Sequence, residues 1–430
     1  MSDQITLAFG KTGSPLRLPA HIPTTVLEPR YARELDDSNR ALADAVANPI
    51  GCPPLEETAR GKSTAAISVC DITRPAPNKL VLPHVLAALE RGGIPPAGIT
   101  ILIATGLHRE ATREELIEIV GEAILERYPV DSHRAKNLDE QSHLGETASG
   151  TPVYIDRRLV EADIHITLGF VEPHLMAGFS GGRKLISIGL AGERTIKRLH
   201  SPLFMRDAKA TEGSFPDNPL HRELIEIAGM ARHDFMIDVA LTRTRGVSAV
   251  FAGEPVAAHS RAVEFVREST LAAVPEPADL VVTTSGGYPL DLTFYQAVKG
   301  ITAASHIVKP GGTILLVAEC SEGFGSPEFT ELMRSSPDSQ ELLDKLVDSP
   351  VKVDQWQAEK LAIVARDVSF VFCLPGLSAD ERSAVWGPCY DSPQGALDAS
   401  IAALPAGGSV VVIPEGPYVF SQLQREPALV

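Results

Sequence analysis

Four groups able to do acid, base or anion-binding chemistry stand directly after short apolar runs. Asp71 and Arg74 follow STAAISVC (63–70), His108 follows GITILIATG (98–106), and His174 follows DIHITLGF (163–170). Ligands of open α/β sheets sit beyond the carboxyl ends of the strands, so these groups are expected to face one crevice. Several strand exits loaded with titratable groups mark that crevice as a candidate functional site. Ten residues after His174, the segment GFVEPHLMAGFSGGRKLISIGLAG (169–192) places Lys184 beside Arg183, within an otherwise apolar stretch. A second cation would lower the amine pKa and make Lys184 a nucleophile or an attachment point. Pairing with a carboxylate is an equally open reading. Farther on, YPLDLTFYQAVKGI puts Tyr295 and Lys299 four apart on one helical face with Gln296 beside them, Asp291 being the expected N-cap. An exposed helix face with a snorkelling lysine explains that pattern equally well.

Common motifs do not account for the lysine loop. A P-loop needs Gly-Lys-Ser/Thr, but Arg183 precedes Lys184 and Leu185 follows it. The glycines at 178, 181, 182, 189 and 192 do not make G-x-G-x-x-G, and no H-E-x-x-H pair occurs. His108, His174 and His200 are too far apart in sequence to predict a metal site from spacing.

Those residues need rigid elements to hold them, and the hydrophobic pattern supplies such elements. Short β-branched runs alternate with longer amphipathic stretches such as REATREELIEIVGEAILERY (109–128), which predicts an α/β protein with mainly parallel sheets. A second series, LVVTTSGG (280–287), GGTILLVAEC (311–320), VSFVFCLPG (368–376) and GSVVVIPEG (408–416), reads as a Rossmann-like domain. Two α/β domains are expected, 1–268 and 280–413, with a connector near 268–280 acting as a hinge. Residues 414–430 form a tail that could return to the first domain. The active site is expected in the interdomain cleft.

Composition narrows the class further. With 430 residues, 44% hydrophobic and 22% charged, the chain can build a packed core. A formal charge of -16 opposes binding to nucleic acid or to an anionic membrane. Five cysteines without a C-x-x-C pair, no apolar leader and no 18-residue apolar window predict a soluble cytoplasmic protein with reduced thiols.

Taken in order, D-I-T-R-P (71–75), A-T-G-L-H (104–108), E-P-H-x-x-x-G-F-S-G-G-R-K (172–184), L-H-S-P (199–202), G-G-Y-P-L-D (286–291) and Y-Q-A-V-K-G (295–300) resemble the nickel-dependent lactate racemase family. The resemblance implies a nickel-pincer nucleotide joined to Lys184, with His200 as the protein's nickel ligand and His108 and His174 as the acid/base pair. It places Arg74, Tyr295, Gln296 and Lys299 on the substrate, and Asp71 and Trp356 beside the cofactor. The backbone at Gly178, Ser180, Gly181 and Gly182 is the expected phosphate cradle. The implied activity is racemisation of a small 2-hydroxy acid, lactate or another short aliphatic acid, through a 2-keto acid. Malate or an aldonate is the alternative substrate class, and a non-catalytic nickel-cofactor carrier the alternative role. Cofactor-building enzymes are the implied protein partners.

Overall fold

The computed structural model describes residues 4–347 and 349–424. The chain divides into two compact units, one of residues 31–199 and 208–269, the other of residues 1–30, 200–207 and 270–430. The first is built on a six-stranded sheet in the order Val247–Gly253, Phe235–Leu241, Ile164–Phe170, Ala65–Cys70, Ile99–Ala104, Val130–Ser132. Its strands run parallel except for the edge strand Val247–Gly253. Every residue of Ala65–Cys70 and of Ile164–Phe170 is buried, as a parallel sheet covered on both faces requires.

Register explains how the expected crevice residues are brought level. Cys70 lies opposite Ala104 and Val69 opposite Leu168, so three adjacent parallel strands end at nearly the same height. Asp71, His108 and His174 leave from those ends. The expected helix 109–128 is two helices, Arg113–Val120 and Glu122–Arg127, because Gly121 takes φ +89°. That left-handed conformation cannot be continued in a right-handed helix. Thr112 and Glu115 form a reciprocal capping box at the first of them.

The other unit carries a five-stranded all-parallel sheet in the order Ser369–Cys373, Val308–Val317, Ala278–Thr284, Val410–Ile413, Thr24–Val26. The four later strands are those expected. Thr24–Val26 is not, and it moves the expected boundary: residues 1–30 group with the later sheet, because this strand pairs with Val410–Ile413 and because Leu7 and Leu16 of an N-terminal hairpin pack with Leu280, Val282 and Val412. The end of the chain also departs from expectation. Phe420–Leu423 pairs in parallel with Leu271–Val274, so the described part of the tail stays with this unit. Residues 425–430 lie outside the described residues.

Asp291 does not cap the helix Phe294–Ser305. Thr293 does, its side chain accepting from the Gln296 amide. Asp291 is fully buried instead, and its carboxylate accepts from the Gly10 amide at 2.6 Å. Two residues between Asp291 and the first helical turn put its side chain out of capping reach, while the N-terminal hairpin offers a buried amide that needs an acceptor. Among the described residues, no helix is long and apolar enough to cross a membrane.

Candidate active site

In the six-stranded unit, Asp71 joins two hydrogen bonds. Its carboxylate meets His108 Nδ1 at 2.7 Å and accepts from the Thr73 hydroxyl at 2.7 Å. Arg74 in turn donates to the Thr73 carbonyl and hydroxyl at 3.2 and 3.1 Å. Burial pushes the Asp71 carboxyl pKa up, but the hydrogen bonds from His108 and Thr73 outweigh it and hold the group below its usual range. Asp71 is therefore an anion, so His108 carries its proton on Nδ1 and presents the Nε2 lone pair. About half of the His108 side chain is exposed, leaving that nitrogen within reach of a ligand.

Lys184 opens a one-turn helix, Lys184–Ser187, after the short hairpin formed by Pro173–His174 and Gly178–Phe179. Its Nζ lies 2.8 Å from His174 Nε2. His174 Nδ1 accepts from the amides of Met176 and Ala177 at 3.3 and 3.1 Å. Those two donors leave the ring proton on Nε2, which can then only donate, so Lys184 must accept as an uncharged amine. Its pKa agrees with that assignment: burial, then the charge of Arg74, with a smaller contribution from Arg183, lowers it to about 7. The neighbouring cation contributes as expected, but removal from water is the larger cause. With limiting acetic anhydride, Lys184 is expected to acylate half-maximally near pH 7, well below the surface lysines, as read by peptide mass spectrometry. Acylation following an ordinary lysine pKa would contradict the neutral amine.

Arg183 points the other way and ties the loop together. Its guanidinium donates to the carbonyls of Ala177, Phe179, Ser180 and Gly181 at 3.0–3.3 Å. The amides expected to cradle a phosphate are partly engaged within the protein: Ser180 N donates to the Glu172 carbonyl and Gly182 N to Asp238 Oδ2 at 2.7 Å. Both correct the expected cradle, because a loop this buried must satisfy its own amides. Gly181 has φ +82°, and a Cβ there would run into the Asp238 carboxylate. Gly178, with φ +76°, lies against the Ser214 carbonyl. Gly178→Ala is expected to cost about 2–4 kcal/mol in thermal or denaturant unfolding, combining left-handed strain with that collision. An unchanged transition would show that the loop moves aside.

The five-stranded unit holds the rest. His200 begins the segment 200–207, which helix Gln355–Ala365 secures through two bonds, Arg206 to buried Glu359 at 2.7 Å and Lys360 to the Met205 carbonyl at 2.7 Å, while Arg206 also donates to the Leu343 carbonyl of helix Ser339–Val347. The His200 and Trp356 rings are 4.4 Å apart, and Trp356 Nε1 donates to Tyr295 Oη at 3.2 Å. Trp356 is half-buried rather than a core residue. Tyr295, Gln296 and Lys299 share the first turns of helix Phe294–Ser305, where the buried Gln296 Oε1 has no hydrogen-bond partner. Among the described residues, no three His, Cys, Asp or Glu side chains group as a metal site.

Residues 9–213 match the family model for the lactate racemase N-terminal domain, and residues 274–420 the model for its C-terminal domain. Lactate racemase of Lactiplantibacillus plantarum is 36% identical over 373 residues, covering 86% of this chain and 87% of that protein. The chain belongs to the lactate racemase family. Lactate racemase of Thermoanaerobacterium thermosaccharolyticum is 38% identical over 322 residues, covering 74% of this chain and 75% of that protein. The solved lactate racemase apoprotein from T. thermosaccharolyticum superposes with TM-score 0.90 at 31% identity, covering 98% of this chain and all of that one. A Thermotoga maritima protein at 17% identity and TM-score 0.67 shares the fold.

For this family member, the structure adds roles that motif reading did not assign. Thr73 links Arg74 to Asp71, and Arg183 binds the loop carbonyls. Asp238 holds the Gly182 amide, with burial raising its pKa to about 7. Glu212 is buried, and burial followed by the charge of Glu172 raises its pKa to about 8. Asp238 had a readable signal, since it interrupts the apolar strand FMIDVAL (235–241). Thr73 and Glu212 had none.

Proposed function

We propose that this protein racemises a small 2-hydroxy acid, lactate or another short aliphatic acid, using a nickel-pincer nucleotide carried on Lys184. The observation that carries this reading is the buried Lys184 amine 2.8 Å from His174 Nε2, in the same unit as His108 hydrogen-bonded to Asp71. A neutral, buried amine is the form needed for covalent attachment of a carboxyl-derived group. His200, held beside Trp356, would give its imidazole to nickel. A soft donor set in which the nucleotide brings the remaining ligands fits a protein that offers no three-residue metal cluster among its described residues. When bound, the group supplies a hydride acceptor and donor.

The chain's own residues do the rest. His108 Nε2 takes the hydroxyl proton of one enantiomer, with the Asp71 anion stabilising the imidazolium that results. His174 serves the mirror image, and its ring must first give up the backbone donors on Nδ1 for Nε2 to accept a proton. In this reading Arg74 offers its guanidinium to the substrate carboxylate, and Lys299, with Tyr295 and Gln296 on the same helix, is the second group assigned to the substrate.

The test is a chiral assay on protein produced together with the cofactor-building enzymes, against lactate, longer aliphatic acids, malate and aldonates. Interconversion of D- and L-lactate, with nickel and a Lys184 adduct present, is expected. A loaded protein that racemises none of the panel would overturn the proposal. A carrier would keep its nickel and be indifferent to His108→Ala, although an Asp71-oriented histidine has no purpose in a carrier.

A further inference from the structure

Behind the lysine loop, wholly within the six-stranded unit, lies a cavity of about 150 Å³ to which no step of the proposed reaction assigns a role. Arg183, His221, His233 and His259 line it together with Ile225, Ala228 and Val256. Arg183 and His221 are 4% and 3% exposed, yet Arg183 Nε and His221 Nδ1 have no hydrogen-bond partner. The other guanidinium nitrogens meet carbonyls and His259 Nε2, so among the described residues no carboxylate hydrogen-bonds this buried cation. Asp238 is near enough to interact with Arg183 through charge, but it forms no hydrogen bond with the guanidinium, and two orphaned buried polar atoms are costly unless something occupies the space beside them.

We propose that this cavity binds a short-chain carboxylate. The unpartnered guanidinium Nε and an imidazole nitrogen are donors suited to the two oxygens of a carboxylate, and the guanidinium's charge favours an anion there. The apolar side chains of Ile225, Ala228 and Val256 in the lining suit a short alkyl body. A water needs about 10–15 Å³ of such space, so the cavity takes a molecule larger than a water or a halide. Glu254 lies at the same cavity, but its carboxylate is engaged by the amides of Val256 and Ala257, capping helix Pro255–Thr270. Burial and the Arg183 charge hold His221 and His259 in the neutral form, so Arg183 is the cation that the ligand pairs with. Because Arg183 also binds the loop carbonyls next to Lys184, an occupant would stiffen the loop that carries the lysine.

The experiment uses the full chain without nucleotide, titrated with sodium propionate or with sodium chloride at matched ionic strength. Thermal unfolding and the imidazole nitrogen resonances of His221 are followed. Propionate is expected to raise the unfolding midpoint saturably and to shift the His221 signals, with chloride doing neither. His221→Phe removes the orphaned nitrogen, and Val256→Trp, at an exposed position of the mouth, fills the space without removing a polar atom. Each should weaken the propionate effect by about tenfold or more. Absence of a saturable shift, an equal effect of chloride, or an undiminished effect in Val256→Trp would overturn the proposal. Propionate bound beside Arg74 would survive both substitutions and would likewise count against it. Racemisation is not read at any point, so the outcome is independent of the proposed reaction.

Discussion

Lys184→Met is expected to abolish racemisation and, at the same time, to stabilise the protein lacking nucleotide. The activity should fall below about one-thousandth of the wild type, because methionine cannot form the covalent link on which the proposed reaction depends. The stability gain follows from the amine's pKa, lowered from 10.5 to about 7 by burial and then by Arg74. In the unfolded chain the lysine holds its proton up to its ordinary pKa, whereas in the folded chain it gives the proton up near neutrality. The unfolded state therefore binds more protons between those values, and folding stability rises with pH across that window. The cost of burying Lys184 is complete below about pH 7 and gone above about pH 10.5. Methionine has a similar shape and no charge, so its advantage should be about 1–3 kcal/mol at pH 6 and should shrink steadily toward pH 10. Denaturant unfolding at several pH values measures it. A stabilisation independent of pH would mean that packing, and not proton binding, is responsible.

Asp71→Asn should leave the fold intact and lower turnover by about 10³-fold with little change in KM. The carboxylate accepts from His108 Nδ1, which puts the lone pair on Nε2. An amide in its place can present NH₂ to Nδ1, which moves the imidazole proton to Nε2 and removes the base; comparable carboxylate-to-amide changes beside catalytic histidines cost about 10⁴-fold. Thr73 donates to the other carboxylate oxygen, which an asparagine oxygen can still accept, so position is largely kept and the loss should lie in turnover. Both directions of racemisation need measuring, since His108 serves one enantiomer. A variant with full turnover would show that Asp71 does not set the His108 tautomer.

The sequence by itself was enough to place the strands that carry the site. The runs before Asp71, His108 and His174 are long, β-branched and buried on both faces, and nearest-neighbour pattern is all that such strands need. Residue type at those strand ends also announced the chemistry, and the spaced motifs announced the family. It did not tell where residues 1–30 belong. Thr24–Val26 is three residues long, too short for any periodic signal, and it is a strand only because Val410–Ile413 lies unpaired on that side without it. For the same reason, segment 200–207 could not be assigned: its place depends on Glu359 and Lys360, more than 150 residues away.

Lys184 shows the division most clearly. Its neighbour Arg183 was visible, and a lowered pKa followed from that pair alone. Tertiary structure decided the rest, turning Arg183 toward the loop carbonyls, bringing Arg74 and His174 to the amine, and removing water from it. Charges adjacent in sequence are fixed by the covalent chain, but desolvation and long-range hydrogen bonds exist only after the chain has closed around the group, so no local pattern can encode their balance.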